Sequence, residues 1–275
     1  FSKGAYIEGD ENKLQADSML YDRNTGYGEA FRNIWLSDTL EDVEIYGEYG
    51  QYWRFEKKTL ITGQPIAVKF MDDDALYLKS DSMIDQTDSG VRELNAFHSV
   101  RVYKSDLQAT SDSMSYNFTD STIRFYYDPL LWSDSSQISG DTIVVYRGAE
   151  GFESMQAFNN GFMIEKDING KFNQVKGKTI NALFKEGKMD RILVNGNGQS
   201  VYYALDDSSN YSGVNDIVCG NMVIYMDSSS KVDNIHFLSQ PKATFYPLEK
   251  FPTASSRLQG FAWRAEERPK LADYR

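Results

Sequence analysis

Side chains able to do acid–base, nucleophilic or metal chemistry are few and scattered along these 275 residues. His98 and His236 are the only histidines and Cys219 is the only cysteine. No HExxH, no Cys/His metal spacing, no G-x-S-x-G and no P-loop is present. Each histidine falls in or just after an apolar, strand-like run, where a structural role is expected. Gly196-Asn197-Gly198 precedes a strand-like run rather than a helix, so it reads as a turn and not as a dinucleotide loop. One cysteine permits no internal disulfide, and inside an apolar run it reads as a small buried hydrophobe. Carboxylates are abundant, but clusters such as Asp72-Asp73-Asp74 and Asp206-Asp207 sit in turn-rich stretches. There they read as solvated loop charge rather than as a glycosidase pair or a calcium loop. Asn117-Phe118-Thr119 and Asn210-Tyr211-Ser212 match the N-glycosylation pattern, which is short enough to recur by chance. These residues lead us to expect no enzyme, no metal and no cofactor.

The formal net charge of −11 argues against nucleic acid as a partner, because phosphate binding needs a surplus of Lys and Arg on one face. It argues equally against electrostatic docking on an anionic membrane. No apolar run approaches the roughly 20 residues of a membrane-spanning helix. No signal-peptide pattern precedes the first repeat, as expected of a chain whose start has been trimmed.

What the chain does carry is a repeat. An apolar-then-polar unit recurs about every thirty residues, the range of stacked structural repeats. Its first half reads ADSMLYD at Ala16–Asp22, KSDSMID at Lys79–Asp85, TSDSMSY at Thr110–Tyr116 and SGDTIVVY at Ser139–Tyr146. Looser copies are GKTINALF at Gly177–Phe184 and CGNMVIYM at Cys219–Met226. In four copies a polar turn and a second run follow, spaced apolar, two polar, apolar, any, apolar: Val91/Leu94/Ala96, Phe152/Met155/Ala157, Met189/Ile192/Val194 and Val232/Ile235/Phe237. The runs are rich in β-branched and aromatic residues, and Gly/Asn turns such as Asn159-Asn160-Gly161 supply the positive φ of tight hairpins. Each unit therefore reads as a β-hairpin, and hairpins must stack to gain a core. Asp17, Asp81, Asp112 and Asp141 each precede a Ser or Thr at a strand entrance, which predicts bulges or corners where the side chain bonds nearby backbone. The expected division is one repeat domain over residues 1–250 and an irregular tail over 251–275. That tail gathers Arg257, Arg264, Arg268 and Lys270 around Phe261 and Trp263, and either caps the last hairpin or begins a further segment.

The repeat resembles a known family. The alternation of L-x-A-D-S-M-x-Y (Leu14–Tyr21), a polar turn, and φ-x-x-φ-x-φ-x-G (Met189–Gly196) is similar to the OstA-like proteins of lipopolysaccharide transport. The stretch Phe172–Tyr203 matches best, and the resemblance spans most of residues 5–247. The family includes the periplasmic bridge component and the N-terminal domain of its outer-membrane partner. The resemblance implies an all-β fold of stacked antiparallel hairpins, an elongated, twisted, V-shaped open jelly roll. It also implies a non-enzymatic role: carrying lipopolysaccharide by its lipid A acyl chains across the periplasm, in the periplasm or at the outer membrane. The implied partners are lipopolysaccharide and, through free edge strands, other OstA-like components or a second copy. Strand alternation selects the inward residues that would line the groove. They are Val43, Ile45, Val100 and Val102, then Ile123, Phe125, Ile143 and Val145, and finally Ile192, Val194, Met222, Ile224, Ile235 and Phe237. Two other readings compete: a β-solenoid that binds or degrades polysaccharide, with Trp35, Trp53, Tyr126 and Trp132 as stacking platforms, and an adhesin or spacer. The hairpin turns favour the first reading.

Overall fold

The computed structural model describes residues 4–9, 12–71, 74–148, 151–186, 188–206, 208–227 and 232–274. Asp72, Asp73 and Asp207 of the acidic turns lie outside the described residues. The described strand pairings are all antiparallel. The described helical segments are short 3-10 turns near the C-terminus: Leu248–Lys250, Thr253–Ser255, Ala265–Glu267 and Leu271–Tyr274. The fold is all-β, as the hairpin repeat predicts, and antiparallel pairing removes the basis of a parallel solenoid.

The chain forms two compact units, Phe1–Tyr127 with Glu267–Arg275, and Asp128–Glu266. The first holds β1 (Ala5–Glu8), β2 (Asn12–Ala16), β3 (Ser18–Asp22), β4 (Tyr27–Asp38), β5 (Val43–Trp53), β6 (Lys58–Thr62), β7 (Ile66–Phe70), β8 (Ala75–Lys79), β9 (Ser82–Asp88), β10 (Val91–Tyr103), β11 (Gln108–Asn117) and β12 (Thr122–Tyr126). The second holds β13 (Leu130–Ser133), β14 (Ser136–Ser139), β15 (Thr142–Gly148), β16 (Gly151–Lys166), β17 (Phe172–Lys185), β18 (Lys188–Leu205), β19 (Tyr211–Met226), β20 (Val232–Leu238) and β21 (Lys242–Tyr246).

Each unit has two layers because its long strands bend in the middle. In β4, β10, β16 and β18 the bend is a pair of successive residues in the left-handed region, and a like pair joins β6 to β7, β12 to β13 and β20 to β21. These pairs are Arg32-Asn33, Gly63-Gln64, His98-Ser99, Tyr127-Asp128, Asn159-Asn160, Gly196-Asn197 and Ser239-Gln240. Where such a pair interrupts β4, β10, β16 or β18, the pairing register skips it, as between Phe158 and Gly161. Two unpaired residues of this kind turn a strand sharply. One half then pairs in the first layer and the other half in the second. The corner is tight: at Gly177, opposite the Gly196-Asn197 bend, an added Cβ would lie 2.5 Å from Val194 Cγ1.

The predicted corner aspartates sit at these bends, but three of their carboxylates bond side chains of corner residues on a neighbouring strand rather than nearby backbone. Asn33 Nδ2 donates to Asp17 at 3.1 Å, Asn160 Nδ2 donates to Asp141 at 3.2 Å, and His98 Nδ1 lies 3.1 Å from Asp112. Backbone bonds match them, with Asp81 N donating to His98 O at 3.1 Å. The Asp112 carboxylate raises the His98 pKa through hydrogen bonding and charge.

The apolar letters of the repeat then fall into rows that cross the strands. In the second layer of unit 1 the pairing links Met19, Ala30, Gly50, Ile61, Met83, Ala96, Met114 and Phe125 in succession. The methionine of each D-S-M triplet is thus one inward rung of a single row. In unit 2 the equivalent row is Ile143, Ala157, Ile180, Val194, Met222 and Phe237. A second row beside it is Val145, Met155, Ala182, Ile192, Ile224 and Ile235. Most of these residues are buried. The "two polar" gap in the second-strand pattern also has a cause. The register shifts by one residue at Glu153, Asp190 and Asp233, so Phe152, Met189 and Val232 return to the inward face.

Candidate functional site

A cavity of about 380 Å³ lies between the two layers of unit 2. This is the lower range of small-molecule sites. The second layer contributes Ile192, Ile224 and Ile235 from the inner row and, nearer the hairpin tips, Phe184, Met189, Met226 and Val232. The first layer faces them with Met163, Val175, Ser200 and Tyr202. These share one face, since Met163 pairs Val175 and Val175 pairs Ser200. The lining is therefore a trough: closed at the strand corners, apolar along its length, and framed by Ser133–Ser136, Glu165 and Asn173 toward the tips. Asn173 Nδ2 donates to Glu165 at 3.1 Å while its Oδ1 accepts from Tyr203 N at 2.9 Å, which fixes that rim. Burial, with the Glu165 and Asp167 charges behind it, pushes the Tyr202 phenol upward, so it stays neutral and offers a hydroxyl, not a charge.

Of the residues selected from the sequence, Ile192, Ile224 and Ile235 come together on this cavity. Ile143, Val145, Val194 and Met222 are buried in the same two rows and Phe237 is half-buried at their end. In unit 1, Ile45, Val100, Val102, Ile123 and Phe125 are buried and Val43 is half-buried. Sequence reasoning missed Met163, Val175, Ser200 and Tyr202. Their strand halves are covered on both faces, so no polar alternation marks which side faces inward. Phe184 and Met226 were also missed, although the one-residue shift that returns Met189 and Val232 inward brings them along as cross-strand partners.

In unit 1 an ion triad joins the layers. Arg92 on β10 bonds Asp38 on β4 at 2.7 Å and Asp85 on β9 at 2.5 Å. Asp38 is only 4% exposed. Burial works against the Arg92 charge, but hydrogen bonds and attraction from Asp85 and Asp38 prevail and hold the guanidinium more firmly protonated than usual. The ring of Phe118 lies 4.5 Å from it.

No His or Cys is among the described residues that line the trough. Cys219 is buried, and burial pushes its thiol up. His236 packs edge-on against Tyr225. Among the described residues no cluster of His, Cys, Asp and Glu suits a metal ion. Trp132, one of the proposed sugar-stacking platforms, is 1% exposed and cannot serve as one. No helix among the described residues is long and apolar enough to cross a membrane.

Fold and site together define an all-β, two-layered protein with an apolar trough. No family model matches the chain, and no curated protein matches it. Among solved structures it is similar to LptH of Pseudomonas aeruginosa, described as the LptA-homologous periplasmic component of the lipopolysaccharide transport device. The TM-score is 0.36 at 11% identity, covering 49% of this chain and 94% of LptH. A likeness at that level does not by itself assign a function.

Proposed function

We propose that this protein is a non-enzymatic carrier of lipopolysaccharide, holding lipid A acyl chains in the trough of unit 2 and handing them on across the periplasm. The observation that carries the reading is the cavity itself: about 380 Å³, walled mostly by apolar side chains, with Ser200 and Tyr202 in the wall and further polar groups at the rim. Burying a methylene is worth about 0.8 kcal/mol, so a chain of about a dozen carbons gains roughly 10 kcal/mol before ordering costs. Such binding needs no catalytic residue. The inner rows Ile143–Phe237 and Val145–Ile235, and in unit 1 the inward residues Val43, Ile45, Val100, Val102, Ile123 and Phe125, form the packed backing of this path.

Free strand edges support a bridging role. Among the described pairings, β1 bonds only β2, β3 only β4, and β20 and β21 only β19. Tyr6, Ile7, Leu20 and Tyr21 are exposed on β1 and β3, and Leu238 and Phe245 on β20 and β21. An unpaired edge with apolar side chains is a template for strand addition. The partners are other transport components of the same fold or a second copy. The test is organic-solvent extraction of protein purified from a Gram-negative host, with mass spectrometry for lipid A. Photoreactive groups at Val175, Ile192 and Ile235 should label lipopolysaccharide, and labelling at none of the three overturns the reading.

A further inference from the structure

The C-terminal segment is not an appendage. Residues 251–264 run across the outer face of the first layer of unit 2, the face opposite the trough. Two glutamines hold them there. Gln174 and Gln137 are 0% and 1% exposed. Gln174 Nε2 donates to Ser256 O at 2.9 Å, and its Oε1 accepts from Leu258 N at 2.8 Å. Gln137 does the same six residues on, donating to Ala262 O at 2.8 Å and accepting from Arg264 N at 2.8 Å. Each amide thus bridges the C=O of one residue and the N–H of the residue two further on, using donor and acceptor together. Gln137 pairs Ile164 and Ile164 pairs Gln174, so the two readers stand two strands apart, roughly 10 Å. Aromatic contacts fill the spaces between. Phe172 packs against Phe261 and Trp263, with centroids 5.3 and 5.4 Å away, and Phe251 meets Tyr203 and Tyr246. Lys176 Nζ adds a bond to Gln259 O at 2.8 Å.

The occupant is a mostly irregular segment with aromatic anchors and one 3-10 turn, held through its backbone. Every copy of the chain carries both site and ligand. The segment joins the body after β21, an edge strand, through Pro247, the exposed turn Leu248–Lys250 and Pro252. Two prolines there fix extended backbone around a connection that buries none of its turn residues. The five bonds from Gln137, Gln174 and Lys176 are made to backbone atoms of the segment and are the same whichever copy supplies it. We propose that this strap is exchanged between copies, the segment 251–264 of one molecule docking on Gln137 and Gln174 of a second. Exchange of an identical element is a low-cost route to association. The tethered strap has the advantage of high effective concentration, so exchange rises with protein concentration and is slow.

The test uses full-length chains. One copy carries Lys176→Cys with one affinity tag, and the other carries Gln259→Cys with a second tag. Both positions are outside the core, and native Cys219 is buried. After co-incubation over a concentration series, a short bismaleimide should join the two tagged copies. The yield should climb at least 10-fold from micromolar to near-millimolar protein and vanish when the receiving copy also carries Gln137→Ala and Gln174→Ala, its fold verified by circular dichroism. A chain bearing both cysteines must crosslink within itself at high dilution. If it does so while mixed single variants never join, even after refolding together, exchange is refuted. If it fails to crosslink at all, the docking itself is refuted.

Discussion

Replacing Gln174 by alanine should loosen one strap contact. The side chain is fully buried and makes three hydrogen bonds, to Ser256 O, Leu258 N and Phe172 O. A net value of about 1 kcal/mol each gives about 3 kcal/mol for the loss. The damage is capped at the free energy of strap docking, because the strap can lift and rehydrate Ser256 O and Leu258 N. Amide hydrogen exchange reads this locally. The Leu258 amide, which donates to Gln174 Oε1, should exchange roughly 100-fold faster, since about 1.4 kcal/mol is one factor of ten. Gln174→Glu sharpens the test. It keeps an acceptor for Leu258 N but sets a carboxylate oxygen against Ser256 O, so it should be as harmful at neutral pH and recover on acidification. Exchange at Leu258 unchanged within twofold in both variants would refute the claim that this amide holds the strap.

Further outcomes follow from the other sites. Ile235→Glu, at a half-buried trough position on β20, should cut co-purifying lipid A roughly 10-fold with far-UV circular dichroism unchanged. Arg92→Met should destabilise unit 1 by about 3 kcal/mol, the low end for breaking a buried pair, because Asp38 still accepts from Leu40 N and Glu41 N; adding Asp38→Asn should restore most of it in urea titrations. His98 and Asp112 give a pH signature. The His98 pKa is raised from 6.5, so its contribution is complete below that value and is lost as pH rises through the folded pKa. The Asp112 pKa is lowered from 3.8, so its contribution is complete above that value and is lost as pH falls. Their pair should support the corner most between about 3.8 and 6.5, and His98→Asn should flatten the alkaline side of a stability–pH profile. Cys219 should react with a thiol reagent only on unfolding, because it is buried and its thiolate is disfavoured.

Much of the architecture was readable because the repeat letters map onto single geometric jobs. The methionine of D-S-M is a rung of the inner row, the aspartate before it is a corner ligand, and the spaced triplet Met189/Ile192/Val194 records an inserted residue. Each signal is local in sequence, so periodicity exposes it. The trough was legible only in part. Ile192, Ile224 and Ile235 follow from alternation, but nothing in alternation separates them from Val194 or Met222, which lie buried in the adjacent row. What distinguishes them is position along the strand: residues nearer the tips have space beside them, and residues nearer the corner do not. The strap was least legible. Gln174 and Gln137 look like ordinary polar residues because their partners lie 82 to 127 positions away and are backbone atoms with no side-chain signature. The predicted tail cluster of aromatics was visible, but the surface it covers was not.

The corners from Arg32-Asn33 to Ser239-Gln240 share the same two-residue left-handed backbone. A stretch from one corner to the next supplies two rungs to each layer, as Gly50 and Ile61 do between Arg32-Asn33 and Gly63-Gln64. Duplicating or deleting such a module changes the run of a trough by two strand spacings, about 10 Å, and leaves its cross-section alone. Length and calibre are therefore inherited separately: the chain measures distance in whole hairpins, while the choice of Ile, Val or Met sets the bore.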